Sequence, residues 1–207
     1  MAIFGNETVI VSLGVSCQTA MQLEVHETEI MRRLGGGERH ATPLDWVLAP
    51  VASTAAMLDE WRFLPGDDDF EMVPAPYWPA MRTLLLHESG WLDDRARCRA
   101  RGEHKARTLR SVADKQRKVF IVSNTQNNLT LFDNRLGVGW YRFSGADIAT
   151  LRRSLERRFG LVELYVVSYA DRHEVVEGAD VVFNLTPDAT PVRGDGEQWG
   201  RVLKSIV

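Results

Sequence analysis

Apolar positions along the chain follow two rhythms, short unbroken runs and stripes at helical spacing. The run over residues 8–13 (TVIVSL) is β-branched and nearly continuous, the pattern of a strand covered on both faces. Similar runs at 119–123 (VFIVS), 161–168 (LVELYVVS) and 179–185 (ADVVFNL) predict three more buried strands. Gly14 breaks the first run. Ser16 is placed to cap a helix from residue 17 to about 33, with Ala20, Met21 and Leu23 on its buried side. Gly35, Gly36 and Gly37 end that helix. Ile148, Leu151, Leu155 and Phe159 recur at helical spacing and predict an amphipathic helix over 147–159.

The remaining segments are less periodic. Residues 41–48 form a segment led by Pro43 and carrying the large side chain of Trp46, most simply a core anchor, and a short helix follows over 51–61. Residues 65–69 (PGDDD) read as a solvated turn. Residues 70–73 and 82–87 read as strands. The three prolines at 74, 76 and 79 argue against regular structure between them, so 74–79 is expected as a long hairpin connection or lid. Residues 91–117 are highly charged, interleave arginines with acids and read as an exposed helical stretch, with Gly102 as its candidate breakpoint. The tail 198–207 predicts a last short helix. Alternating strands and helices imply one α/β domain over 1–207, a three-layer sandwich with a mostly parallel central sheet. Residues 66–90 form a small β-hairpin elaboration on it.

Charge narrows the partners. The formal net charge is −3, which offers no basic balance for nucleic acid and none for an anionic membrane surface. No apolar run approaches the roughly 20 residues that span a bilayer. Met1 to Thr8 has neither the basic nor the apolar region of a secretory signal. Two cysteines are too few for a disulfide framework. A reducing cytoplasm with free thiols is therefore expected. No phosphate loop, zinc spacing or calcium loop is present, so no cofactor and no metal are expected.

In a parallel sheet, sites form beyond the carboxyl ends of the strands. Cys17 falls there, directly after the first strand and at the start of a helix. A helix dipole and free backbone N–H groups would lower its thiol pKa and could stabilise an oxyanion. The bland alternative is a small buried hydrophobe. Cys98, in the arginine-rich stretch, has no such setting. A thiol nucleophile needs a base, and His87 and His173 both follow strands. His26, His40 and His104 fall in helical or charged surface contexts. Asp45 or Asn124 would orient the imidazole, although Asp45 could instead cap a helix and Asn124 could simply satisfy backbone groups. Gly14, Ser16, Gln18 and Trp46 border the same junction, and Tyr77 and Trp78 could shape an acceptor pocket.

The segment from Val11 to Ala20 (VSLGVSCQTA), with Leu23 beyond it and Pro43-Leu44-Asp45-Trp46 further on, resembles the paired signature of a bacterial family described as papain-like cysteine peptidases. That family shows Ser-Leu-Gly-x-x-Cys-x-x-Ala-x-x-Leu, then Pro-Phe-Asp-Trp. Its next block ends a strand with His, as Leu84-Leu85-Leu86-His87 does here. The similarity is strong over 9–48 and extends to about 124. Leu44 departs from the usual Phe, Glu88 stands where an Asp is expected, and Arg39 is the nearest match to an Arg after the first helix. The resemblance implies Cys17 as nucleophile and His87 as base of a hydrolase acting on an acyl substrate, whether small molecule, peptide or carbohydrate. Two alternatives stand beside it. One is a thiol acyltransferase of polysaccharide or secondary metabolism, since a similar Gly-x-Cys-helix arrangement occurs in enzymes of polysaccharide loci. The other is a non-catalytic module of the same fold that binds carbohydrate or protein.

Overall fold

A computed structural model describes residues 1–66, 69–73, 75–86, 90, 93–187 and 192–207. The chain folds as the α/β sandwich that the alternation predicts. Four parallel strands form the body of the sheet: β2 (Thr8–Leu13), β8 (Arg117–Ser123), β9 (Glu163–Tyr169) and β10 (Val181–Leu185). β10 is the edge of the sheet and partly exposed, not the buried strand expected over 179–185, because no strand pairs with its outer side. Two short strands extend the sheet, β1 (Ala2–Phe4) and β3 (Glu38–His40), giving the order β10-β9-β8-β2-β1-β3. β1 runs antiparallel to both β2 and β3. Val9, Ile10, Val11 and Leu13 are all fully buried, which explains the continuous apolar run: side chains alternate between two covered faces.

One face carries α1 (Gln18–Val25), α2 (Glu27–Arg33) and α7 (Gly196–Ile206), built on Ile3, Ile10, Val119 and Ile121. The other face carries α3 (Val51–Glu60) and α6 (Gly145–Phe159), built on Val9, Val11, Phe120 and Val122. Ile148, Leu151, Leu155 and Phe159 of α6 are buried as the stripe predicts. The single helix expected over 17–33 is instead two. His26, at φ −100° and ψ 10°, breaks it without a proline or glycine.

The expected hairpin is larger than a hairpin. β4 (Val47–Leu48), β5 (Glu71–Val73), β6 (Ala75–Trp78) and β7 (Thr83–Leu85) form a second, antiparallel sheet in the order β4-β7-β6-β5. A strand at 75–78 overturns the reading of 74–79 as irregular. Only Tyr77 and Trp78 of β6 pair with β7, so Pro76 costs that ladder no donor. α4 (Arg95–Arg110) is unbroken at Gly102. That glycine is buried against Leu64, where a Cβ would collide with the Leu64 side chain, so it serves close packing and ends nothing. A short helical turn, α5 (Asp133–Leu136), precedes α6.

Candidate active site

The site grows from the carboxyl end of β2. A Cβ at Gly14 would lie under 3.0 Å from the Leu44 carbonyl oxygen and from Val47 Cγ2, so only glycine lets the two segments meet. Thr54 Oγ1 donates to the Gly14 carbonyl at 2.8 Å and fixes α3 to the same point. The two halves of the sequence signature are thus in direct contact. Ser16 does not cap the helix. Its Oγ donates to the Ser123 carbonyl at 3.3 Å and ties the junction to β8. Cys17 itself is the N-cap of α1 and offers the helix no side-chain cap.

Cys17 is 3% exposed and belongs to the cluster that holds Val15, Leu44 and Leu48. Burial pushes its thiol up from the ordinary 9.0 to about 12, against a smaller opposing pull from its own backbone N–H. This corrects the expectation of a lowered pKa. The helix mouth is present, but desolvation outweighs it. Both Cys17 and Cys98 are free and buried.

The partners assemble only in part. His87 lies outside the described residues, and the strand expected to carry it ends at Leu85. His173 faces other groups: its Nδ1 lies 2.7 Å from the Glu174 carbonyl oxygen and its Nε2 lies 2.6 Å from Asn184 Oδ1. Asp45 is buried and closes a local turn. One of its oxygens accepts from the Thr42 backbone N–H at 2.7 Å and the other from Thr42 Oγ1, beside the Met1 ammonium group. It orients no imidazole among the described residues. Burial lowers the pKa of that ammonium, with Lys105 pushing the same way.

Asn124 also works on the backbone. Its Nδ2 donates to the Tyr141 carbonyl at 2.9 Å and to the Arg172 carbonyl at 3.0 Å. Arg172 returns two bonds through Nη1, to the carbonyls of Asn124 at 2.6 Å and Gln126 at 2.8 Å. Its guanidinium lies over the rings of Tyr141 and Tyr169, at 5.2 and 4.8 Å. This clamp holds the loops after β8 and β9 together. Sequence reading missed Arg172, because one arginine in a loop carries no signal of the carbonyls it will meet.

Gln18 is fully buried, and its Oε1 accepts from Thr125 Oγ1 and, at 3.4 Å, from Ser123 Oγ. Gln18 Nε2, Asn124 Oδ1 and Gln126 Oε1 are buried without a partner among the described residues. Tyr77 and Trp78, expected in an acceptor pocket, are buried anchors of the second sheet. The Tyr77 hydroxyl donates to the Arg135 carbonyl at 3.1 Å, and the Arg62 guanidinium lies 4.9 Å from the Trp78 ring centre. Trp46 is half-buried and packs against the core, as an anchor should. With Asp45, Arg39, His40 and Glu24 it lines a cavity of about 350 Å³. The Arg39 guanidinium there is held by Glu24 at 2.8 Å and Glu27 at 3.1 Å.

Among the described residues, no group of three or more His, Cys, Asp or Glu side chains could hold a metal, and no helix is long and apolar enough to cross a membrane. No family model, curated protein or solved structure matches the chain.

Proposed function

We propose that this chain is a thiol enzyme acting on an acyl group, with Cys17 as nucleophile and His87 as its base, working in the cytoplasm. The observation that carries the reading is the place of Cys17. It follows a central strand directly and opens a helix whose first-turn N–H groups receive no side-chain cap. A thiol held near 12 is protonated at neutral pH, so the reaction starts from S–H. The imidazole takes the proton as sulfur bonds to the carbonyl carbon, and the N–H groups at the helix mouth receive the oxyanion. Collapse of that intermediate breaks the bond to the leaving group, which takes the proton from the imidazolium. Water then resolves the thioester in a hydrolase, and an alcohol or amine does so in a transferase. The acyl donor is a small molecule, peptide or carbohydrate ester.

A second reading has its own support. A sealed, un-ionised thiol, together with unpartnered buried amide groups of Gln18 beside it in the chain and of Asn124 and Gln126 after β8, also suits a module that binds a polar ligand without catalysis. One experiment separates the two. The folded protein is incubated with an activated ester and with an acyl-CoA, and peptide mass mapping locates any acyl adduct. An adduct on Cys17 that vanishes in Cys17→Ala and forms at least 100-fold more slowly in His87→Ala supports the enzyme. Absence of adduct and turnover with both donors, in a protein that circular dichroism shows folded, overturns it.

A further inference from the structure

We infer that the solvent face of α4 binds the phosphate backbone of a nucleic acid without regard to sequence. Chain-wide totals average this helix away. Seven of its sixteen residues are Arg or Lys and one, Glu103, is acidic, which leaves the rest of a chain of formal charge −3 at −9. Arg97, Ala100, His104 and Arg107 are spaced by three, four and three residues and all are exposed, so they share one face. At 1.5 Å rise per residue, Arg97 and Arg107 stand about 15 Å apart along it. Among the described residues, the side chains of Arg97, His104 and Arg107 have no ion-pair or hydrogen-bond partner. Other arginines of α4 serve the fold: Arg110 lies over Trp61 and Arg101 donates to Cys98 Sγ.

Helix stability does not explain the stripe. Asp94 caps the helix, its Oδ1 accepting from the Arg97 N–H, but the first turn itself holds no acid, and cations there oppose the helix dipole. Arg97 and Arg101 are like charges four residues apart, which is also unfavourable. The occupant follows from what the face lacks. Between the cations stand the alanines at 96 and 100, His104 and one acid, Glu103, with none of the large apolar or aromatic anchors on which protein partners dock. Affinity on such a face comes from charge alone, and guanidinium groups match phosphate oxygens two at a time. A dense, regular row of phosphates supplies that charge.

The test is fluorescence anisotropy of the full chain with a labelled 20-base-pair DNA duplex and a 20-nucleotide RNA, at 50 and 200 mM salt. Comparison is with the double variant Arg97→Gln/Arg107→Gln, whose fold is checked by circular dichroism. Losing two phosphate contacts lowers the duplex salt slope by about 1.8, so the affinity lost between the two salt concentrations shrinks about 12-fold. A variant with the parent's affinity and salt response overturns the inference, as does failure of the parent to bind either probe at 50 mM salt. Equal competition by poly-glutamate also overturns it, in favour of an acidic protein.

Discussion

Replacing Gly14 with Ala tests whether the two signature segments hold each other. The added methyl would sit under 3.0 Å from a backbone oxygen, that of Leu44, and from the buried Val47 side chain. A flexible side-chain tip could swing aside, but the Leu44 carbonyl belongs to the backbone of the turn that Asp45 closes onto Thr42, just before the second sheet. Overpacking a tight core typically costs 1–3 kcal/mol, and a backbone obstacle puts Gly14→Ala at the top, about 3 kcal/mol. With a urea m-value of about 2 kcal/mol/M, the unfolding midpoint falls by about 1.5 M. Gly196→Ala is the matched control. It opens α7, its Cβ would meet nothing within 4 Å, and its φ is not in the left-handed region. It should stay within about 0.5 kcal/mol of the parent, or gain slightly from helix propensity. A Gly14→Ala midpoint indistinguishable from that of Gly196→Ala would refute the steric argument.

Two further perturbations address the thiol and the clamp. Because the folded Cys17 thiol titrates near 12 rather than 9.0, the unfolded chain releases its proton first as pH rises. Stability should therefore be intact below about pH 9 and fall by on the order of 1.4 kcal/mol per pH unit between 9 and 12. Urea midpoints at pH 8 and 10.5 should show that slope in the parent and a shallower one in Cys17→Ala; parallel slopes would remove the case for a desolvated thiol. Arg172→Lys keeps the charge but cannot span two carbonyls and two rings, so it should cost about 2 kcal/mol. An unchanged melting temperature would show that the clamp carries no weight.

The sequence made some of this legible for clear physical reasons. Strands β2, β8 and β9 show as apolar runs because both faces of a central parallel strand need apolar cover; β10 shows through Val181, Val182 and Phe183 although it is the partly exposed edge of the sheet. α6 shows as a stripe because one face meets the core. β1 and β3 do not show, since three-residue strands carry no periodicity and β3, at the sheet edge, holds Glu38, Arg39 and His40. Pro76 hid β6, and no breaker residue marks the bend at His26. At the site, the glycine–cysteine junction was readable, but the sign of the thiol shift was not. A local helix argument contains the dipole and omits the rest of the core, including Leu44 and Leu48 of the same cluster some thirty residues later, whose packing takes the thiol out of water. Asn124 was readable as a strand-end residue; its commitment to the carbonyls of Tyr141 and Arg172 depends on chain folded from far away.

A sulfur sealed this tightly can meet no reagent until its surroundings loosen. Its modification rate then measures how often, and how far, the junction between the first central strand and its helix breathes. An alkylating probe at Cys17 becomes a stopwatch for that fluctuation, much as exchange of a protected amide reports on local unfolding. A ligand that steadies the junction should slow it, and one that needs the sulfur should hasten it.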